Sequence, residues 1–314
     1  MTRLLSGERR AVPRALTVIE DGAPESLRAL VAGIYASTGS ARVIGITGSP
    51  GVGKSTLTNA VAADLRERDL TVGVLAVDPS SPFSGGALLG DRVRMQSHHA
   101  DPGVFIRSMA SRGHLGGLSF ATPQAVLVLD AAGFDVVIIE TVGVGQSEVE
   151  IAATADTTVV ALAPGMGDGI QAAKAGILEV ADLFVINKAD HQGARRLESD
   201  LKGMLELGHA VGDERSWQPP IVHTVATQPK GIDELVARID EHHAYLTGSG
   251  DLLARQRARA LHAVREIALE RVRARFHRLD DAGDPLLEAL AGRVAARELD
   301  PYAAADELVA AVGA

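Results

Sequence analysis

Residues 48–55 have the sequence GSPGVGKS, which matches the pattern G-x-x-x-x-G-K-[ST] at every fixed position. The apolar run RVIGITG at 42–48 predicts a strand entering this stretch, and a helix is predicted directly after it. Three glycines let successive backbone N–H groups point at phosphate oxygens, and the helix N-terminus adds a positive partial charge. The stretch therefore predicts a phosphate-binding loop between a strand and a helix. A glycine-rich turn that holds Lys-Ser by chance is the alternative.

The same loop supplies the side chains for phosphate chemistry. Lys54 is expected to reach the β- and γ-phosphates and to act in catalysis, and the Ser55 hydroxyl is expected to bind Mg²⁺. The complete set of expected phosphate contacts is Gly48, Ser49, Pro50, Gly51, Val52, Gly53, Lys54, Ser55 and Thr56.

Further apolar runs follow the phosphate loop, at 72–78, 104–110, 134–140, 157–163, 183–188 and 221–227. Most are apolar on both faces, which is typical of central parallel strands covered by helices. Helix-compatible segments separate most of these runs. Strands that alternate with helices predict an α/β fold with a doubly wound, mostly parallel sheet.

Helical segments flank the predicted sheet. The sequence divides into an N-terminal helical extension (1–40), a nucleotide-binding sheet domain (41–247) and a C-terminal helical arm (248–314). In the arm a linker is expected at TGSGD (247–251), followed by one long helix and by shorter helices around 285–298 and 301–312. The long helix has an apolar stripe formed by Leu261, Val264, Ala268, Val272 and Phe276.

The apolar stripe of the long helix needs a partner surface that removes it from water. A homodimer would supply that surface symmetrically, so the arm is predicted to be a dimerisation arm. The alternative is an arm that packs on itself as a bundle with a solvated basic face.

Composition narrows the function classes. The 314 residues include no cysteine, which excludes disulfides, thiolate metal sites and cysteine nucleophiles. The net charge of -9 argues against nucleic acid as a partner. No apolar run approaches the roughly 20 residues of a membrane helix, and the N-terminal stretch lacks the apolar core of a signal peptide. We therefore expect a soluble cytoplasmic protein with no membrane contact.

The sequence NKAD at 187–190 ends a predicted strand and indicates guanine as the base. The Asp190 carboxylate can accept hydrogen bonds from both N1–H and N2–H₂ of guanine, whereas adenine offers no such pair of donors. Asn187 is expected to tie the loops together, and the Lys188 stem is expected to cover the base. The backbone N–H of Ala226, in the stretch VAT, is a weaker candidate for guanine O6. A helix N-cap at Asp190 and a plain strand end at VAT are the alternatives.

Acidic residues at predicted strand ends are candidates for holding the metal. Glu140, in ETVG, is expected to hold Mg²⁺ through water and to act in catalysis, while the N–H of Gly143 contacts the γ-phosphate. Asp78, in VDPSS, and Asp91, in LLGDRVRM, are further candidate metal ligands. The plainer alternatives are surface carboxylates for Glu140 and Asp78, and an ion pair with Arg92 for Asp91.

The position after Gly143 holds Val144, where Ras-type GTPases place a water-orienting glutamine. Gln146 lies further along the chain. We therefore expect slow intrinsic hydrolysis.

Long motifs of this sequence resemble those of the methylmalonyl-CoA mutase-associated GTPases, a group also called the ArgK type. The resemblance covers nearly the whole chain, and it is carried by LLSGERRAVPRALTVIE, GSPGVGKSTL, AVDPSSPFSGGALLGDRVRM, ETVGVGQSE, APGMGDGIQAAKAGILEVAD and NKAD. ETVGVGQSE and AVDPSSPFSGGALLGDRVRM are far more specific than generic phosphate-loop patterns. The base loop VAT departs from the family, which more often has serine there.

The resemblance implies an activity, cofactors and partners. It implies a P-loop GTPase domain that binds GTP or GDP with Mg²⁺ and hydrolyses GTP. Members of the group act as GTP-driven chaperones that load and protect adenosylcobalamin in methylmalonyl-CoA mutase, and they are usually homodimers joined through C-terminal helices. Residues 164–175 would form a third mobile switch with Lys174 as its functional, catalytic lysine; an ordinary glycine-rich loop is the alternative.

Two other function classes remain as alternatives. A P-loop kinase would transfer phosphate to an acceptor, but NKAD and ETVG favour a GTPase. A metallochaperone GTPase commonly stores metal with Cys or His clusters, whereas this chain has no Cys and only the pairs His98–His99 and His242–His243.

Overall fold

The computed structural model describes residues 1–78, 101–110, 121–141, 147–165, 179–209, 217–281 and 285–312. The chain forms two compact units, Met1–Arg255 and Gln256–Ala314. The first unit contains the sheet with the helices that cover it, and the second unit is helical. The predicted domain boundaries after residues 40 and 247 stay predictions.

A seven-stranded sheet forms the centre of the first unit. Its strands are β1 (Arg42–Thr47), β2 (Val72–Asp78), β3 (Val104–Ala110), β4 (Val136–Thr141), β5 (Thr157–Leu162), β6 (Leu183–Ile186) and β7 (Ile221–His223). Every pairing is parallel. The order β3-β2-β4-β1-β5-β6-β7 places β1 in the middle. This confirms the predicted α/β fold with a doubly wound sheet.

Helices precede, separate and follow the strands. They are α1 (Thr2–Leu5), α2 (Ala11–Asp21), α3 (Pro24–Ile34), α4 (Lys54–Glu67), α5 (Ala121–Ala131), α6 (Ser147–Thr154), α7 (Ala194–His209), α8 (Ile232–Ser249), α9 (Asp251–Asp281), α10 (Pro285–Ala295) and α11 (Pro301–Val312). Pro24 occupies the first turn of α3, where its missing N–H costs no hydrogen bond. The helical extensions predicted at both ends of the chain are therefore confirmed.

The two faces of the sheet are both buried. Alternate strand residues point to opposite faces, so Ile46 and Ile138 pack in one core cluster with residues of α4 and α8. Val137 and Ile139 pack in a second cluster with residues of α2, α5 and α6. Burial on both faces explains why the strand sequences are apolar throughout rather than alternating.

The last strand is shorter than its sequence predicts. β7 ends at His223 rather than at residue 227. Beyond it the Val225 N–H donates to the Lys230 carbonyl at 3.0 Å in an isolated antiparallel bridge, so the chain turns back. The stretch VAT therefore lies in a turn beyond the strand end.

The predicted linker at 247–251 is reduced to a single residue. Helix α8 continues to Ser249, and Gly250, with φ of 85°, is followed at once by α9. The Thr247 hydroxyl donates to the His243 carbonyl at 2.8 Å, so this polar residue satisfies its hydroxyl inside the helix.

The N-terminal helices are fixed to the sheet domain by packing and by polar contacts. α2 and α3 pack against α5. The Asp130 carboxylate of α5 accepts from the N–H groups of Gly39 (2.5 Å), Ser40 (3.2 Å) and Ala41 (3.0 Å). The guanidinium of Arg9 lies 4.0 Å from the ring centroid of Phe134. The extension is therefore part of the first compact unit.

The second unit presents apolar side chains to solvent along α9. Leu261 and Val264 of the predicted stripe are 65% and 67% exposed, and Ile267 beside them is 42% exposed. Val272 and Phe276 are half-buried. In the described part of the chain, no helix has the length and hydropathy needed to cross a membrane.

A buried carboxylate, Asp182, joins neighbouring elements at the edge of the sheet where the strands begin. Asp182 accepts the Thr158 N–H at 2.8 Å, and Arg255 donates to its two carboxylate oxygens at 2.8 and 3.0 Å. His242 Nε2 lies 3.3 Å from Asp182 Oδ1. The Trp217 indole N–H donates to the Asp182 carbonyl at 2.7 Å. One acidic residue thus holds β5, β6, α8 and the first turn of α9 together.

The environment of Asp182 favours its ionised form. Burial alone would raise the pKa of this carboxyl, but hydrogen bonds from His242 and Arg255 outweigh burial and hold the pKa below its ordinary value. A pKa lowered by folding means that the carboxylate stabilises the fold fully above the unfolded pKa of about 4. The stabilisation is lost as the pH falls through the lower, folded pKa.

We predict that Asp182→Asn lowers the free energy of unfolding by about 3 kcal/mol near neutral pH, because Arg255 loses its buried anion. Urea unfolding followed by the fluorescence of Trp217, the only tryptophan of the chain, measures this change. The difference from the wild type should stay constant down to about pH 5 and shrink below about pH 4.

The matched control is Asp200→Asn on α7, where a half-exposed carboxylate lies 3.9 Å from Arg196. This change should stay within about 0.5 kcal/mol of the wild type. Equal destabilisation by the two substitutions would contradict the assignment of Asp182.

Candidate functional site

The predicted site residues that the structure describes lie at the edge of the sheet where the parallel strands end. The phosphate loop follows β1, Glu140 lies near the end of β4, and NKAD follows β6. The turn containing VAT follows β7. In open parallel sheets this edge, beside the central strand, is where ligands bind.

The phosphate loop has a backbone that only glycine can supply at two points. Gly48 has φ of 140°, and a Cβ there would lie 2.1 Å from the Ala161 carbonyl oxygen of β5. Gly53 has φ of 93° and directly precedes α4, and a Cβ there would lie 2.6 Å from Asn187 Nδ2. The loop is therefore pressed against β5 on one side and against the segment after β6 on the other.

The Lys54 ammonium is held inside the phosphate loop. Its side chain is 7% exposed, and Nζ donates to the carbonyls of Gly48 at 2.7 Å and Ser49 at 3.1 Å. A buried cation at the start of a helix places positive charge where the helix dipole is also positive. The arrangement can attract and orient a polyphosphate.

A short hydrogen bond joins α4 to β4. The Ser55 hydroxyl donates to Glu140 Oε1 at 2.5 Å, and the two residues are 6% and 5% exposed. Ser55 and Glu140 were predicted from separate motifs, 85 positions apart. The structure brings their oxygens together at one point beside the phosphate loop.

Asn187 connects three loops through one side-chain amide. Its Nδ2 donates to the Val52 carbonyl at 2.9 Å. Its Oδ1 accepts from the Thr224 hydroxyl at 3.1 Å and from the Ala226 N–H at 3.2 Å. Asn187 is 2% exposed, so these contacts are shielded from water. The expected role of Asn187 in tying the loops together fits this geometry.

Thr224 was missed by the sequence analysis. Its hydroxyl is buried and bonds Asn187 rather than its own backbone. The available signal was a hydroxyl residue one position after the last strand, directly before VAT.

Lys188 and Asp190 belong to the same NKAD segment as Asn187. Lys188 Nζ donates to the Gly51 carbonyl at 2.8 Å, so its stem spans from NKAD to the phosphate loop. Lys188 has φ of 56°, which is rare outside glycine and is associated with functional sites. Asp190 is exposed, leaving its carboxylate open to a ligand. The Ala226 N–H is engaged by Asn187, and its expected contact with guanine O6 stays a prediction.

Several predicted residues lie outside the described part of the chain. These are Asp91, Gly143 and Lys174, together with the side chain of Asp78, whose backbone ends β2. Of the predicted switch 164–175, only 164 and 165 are described. Within the described residues, no group of three or more His, Cys, Asp or Glu side chains could hold a metal. Among the described residues, the Ser55 hydroxyl and the Glu140 carboxylate are the predicted metal ligands that lie side by side.

Comparisons with known proteins identify related GTPases. The family profile described as methylmalonyl Co-A mutase-associated GTPase MeaB matches residues 12–281. A relative from Pyrococcus abyssi, named as a GTPase, is 48% identical over 307 residues, covering 98% of this chain and 94% of that protein. GTPase ArgK of Escherichia coli is 41% identical over 256 residues, covering 80% of this chain and 77% of that protein.

A solved structure gives a further comparison over the whole chain. The crystal structure of an LAO/AO transport system kinase superposes with a TM-score of 0.70 at 30% identity. The alignment covers 100% of this chain and 96% of that chain. The similarity therefore includes the sheet domain and the helical extensions.

We predict that Gly53→Ala weakens GDP binding by about tenfold or more, because the added methyl group displaces Asn187 from Val52. Titration calorimetry with GDP measures the loss. The control is Gly250→Ala, which has a similar φ of 85° but no atom within 4 Å of the new Cβ.

Both substitutions carry the left-handed backbone strain of about 1–2 kcal/mol, so the control separates strain from displacement. Gly250→Ala should keep GDP affinity within about twofold of the wild type. Unchanged affinity in Gly53→Ala would show that the Asn187 contact does not shape the nucleotide site.

Proposed function

Because the chain belongs to the methylmalonyl-CoA mutase-associated GTPase family, we propose that it couples GTP hydrolysis to the loading and protection of adenosylcobalamin in a mutase. The chain is a P-loop GTPase, because its family and its relative ArgK are GTPases and a solved structure shares its fold. The observation that carries the nucleotide part is the Asn187 amide, which joins the phosphate loop to the segments expected to contact the base. The proposal that a mutase is the partner rests on the family to which the chain belongs.

The proposed nucleotide contacts follow from the loops that Asn187 joins. Gly48 to Thr56 enclose the phosphates, with the Lys54 ammonium at the β- and γ-phosphates. The exposed Asp190 carboxylate accepts from N1–H and N2–H₂ of guanine, while the Lys188 stem covers the ring. Adenine would leave that carboxylate unpaired in the complex, which discriminates against ATP.

The donor atoms beside the phosphate loop fit Mg²⁺. The ion prefers oxygen ligands, and the Ser55 hydroxyl and Glu140 carboxylate offer two buried oxygens within 2.5 Å of each other. Ser55 would bind the ion directly and Glu140 through water, with Asp78 and Asp91 as further proposed ligands. The ion would supply neutralisation of the negative charge on the phosphates of the nucleotide.

The other contributions to hydrolysis come from residues of the chain itself. Lys54, whose Nζ donates to the carbonyls of Gly48 and Ser49, would donate to phosphate oxygens and stabilise the charge that develops there. Gly143 contacts the γ-phosphate through its N–H. The position after Gly143 holds valine, which cannot orient a water, so hydrolysis is slow until a partner completes the site. Ordering of 164–175 with Lys174 is the proposed means of completion.

We predict that a saturating adenosylcobalamin-dependent methylmalonyl-CoA mutase raises GTP turnover by this chain about tenfold or more, because the mutase would bring Lys174 to the transferring phosphate, where a cation stabilises developing charge. Release of inorganic phosphate from γ-labelled GTP measures the rate. ATP hydrolysis should stay near background with and without the mutase. Lys54→Ala should abolish both the basal and the mutase-stimulated rate of GTP hydrolysis. Label appearing on an acceptor instead of phosphate would favour a kinase.

Binding of nucleotide and mutase must be coupled in both directions. If a nucleotide binds the complex with the mutase more tightly than it binds this chain alone, that nucleotide must raise the affinity of the chain for the mutase by the same factor. Turnover of wild-type protein that is unchanged by saturating mutase would contradict the chaperone role and leave a GTPase with another partner.

A homodimer is proposed from the exposed apolar side chains of the second unit. Leu261, Val264 and Ile267 lie close together on α9 and are between 42% and 67% exposed. Association of two identical α9 surfaces would remove them from water in both chains. This supports the homodimer that the family resemblance implies.

We predict that Val264→Glu weakens dimerisation by about tenfold or more, because a carboxylate would be buried without a partner. Sedimentation equilibrium over a concentration series measures the dissociation constant. His262→Glu is the matched control, since position 262 is exposed and lies roughly 160° around the helix from 264. Unchanged dimerisation in Val264→Glu, or a wild type that is monomeric at every concentration, would contradict the proposed surface.

A further inference from the structure

Two buried threonines form a hydroxyl pair between the central strands of the sheet. Thr141 Oγ1 donates to Thr47 Oγ1 at 2.9 Å. Thr47 is 0% exposed and Thr141 is 1% exposed, so water does not compete for this bond. A hydroxyl left alone there would lose a hydrogen bond with no replacement.

The hydroxyl pair lies where the backbone ladder between β1 and β4 stops. The last paired residues of these strands are Ile46 and Glu140. One position further, Thr47 pairs with Val160 of β5 and Thr141 pairs with Val77 of β2. The side-chain bond therefore continues the connection between β1 and β4 by one more residue.

This extra connection lies between the two segments that carry the phosphate and metal chemistry. Thr47 directly precedes Gly48 of the phosphate loop, and Thr141 directly follows Glu140. Because side chains alternate along a strand, the hydroxyl pair lies on the face opposite to Glu140. The pair therefore bonds neither nucleotide nor metal, but it fixes the distance between the two strand ends.

The consequence reaches the Ser55–Glu140 contact. Ser55 follows the phosphate loop on α4, so its position depends on the end of β1, whereas Glu140 belongs to β4. The 2.5 Å separation of their oxygens depends on how closely the two strand ends are held, together with the side-chain torsions of Ser55 and Glu140. A shift of the strand ends would change the distance between the Ser55 hydroxyl, proposed to bind the ion directly, and the Glu140 carboxylate, proposed to bind it through water.

We propose that Thr47 and Thr141 are positioning residues for GTP hydrolysis, which hold the phosphate loop and Glu140 at the spacing that Mg²⁺ requires. This inference rests on the proposed metal role of Glu140. Neither threonine contacts the reacting atoms, and both act through the strand ends they join.

The test uses valine as an isostere that removes the hydroxyl and serine as a change that keeps it. Single-turnover GTP hydrolysis by the full chain is measured against free Mg²⁺ concentration. Thr141→Val should raise the Mg²⁺ concentration for half-maximal rate about fivefold, and Thr141→Ser should remain within about twofold of the wild type. GDP affinity without Mg²⁺ should change by less than about twofold in both variants.

A double-mutant cycle separates the pair from its individual members. Thr47→Val alone should match Thr141→Val, and the two together should again give about fivefold rather than the product of two effects, because they remove one shared bond. Thr58→Val is the matched control, since Thr58 is a buried threonine of α4 whose hydroxyl has no partner among the described residues. It should leave the Mg²⁺ dependence at the wild-type value.

Glu140→Gln distinguishes the possible failures. If it leaves the Mg²⁺ dependence unchanged, the metal role of Glu140 is wrong, and the positioning inference falls with it. If Glu140→Gln raises the Mg²⁺ requirement while the valine variants alter only the unfolding temperature, the metal role stands and the positioning inference is overturned. An equal rise in the Mg²⁺ requirement in Thr141→Ser and Thr141→Val would also overturn the positioning inference.

Discussion

The functional edge of this protein depends on the amide of Asn187. It is a buried group with two donors and one acceptor oxygen, and it satisfies the phosphate loop on one side and the β7 turn on the other. Burial makes each of these bonds costly to leave unmade, so the loops have one low-energy arrangement rather than many. A ligand that spans both loops therefore meets a site already assembled.

The opposite edge of the sheet is organised by carboxylates instead. Asp130, Asp156 and Asp182 each accept backbone N–H groups near residues that enter a strand. These acids find their partners within the protein, so that edge is satisfied without a ligand. The edge where the strands end differs, because the phosphate loop follows β1 there and the Asp190 side chain is exposed. The asymmetry between the two edges is what makes one of them a binding site.

The sequence predicted the fold and supplied the candidate site residues because those features are local. A phosphate loop, a run of apolar residues or NKAD can be recognised within a few positions. The Thr47–Thr141 and Arg255–Asp182 contacts join residues 94 and 73 positions apart, so they depend on strand register and on helix–sheet packing, which no local pattern contains. The linker at 247–251 was predicted from composition, and composition does not show that the Thr247 hydroxyl bonds within the helix.

The hydrogen bonds around Asn187 are made wholly by uncharged groups: an amide, a hydroxyl and peptide units. None of them titrates in the range where proteins are folded, and mobile ions have no net charge there to screen. Exposed pairs such as Lys202 with Glu198 weaken as ionic strength rises. The Asn187 bonds are therefore insensitive to ionic strength, and salt acts on the loops through charged contacts such as that of Lys188 Nζ with the Gly51 carbonyl, and through the charges of ligands and partners.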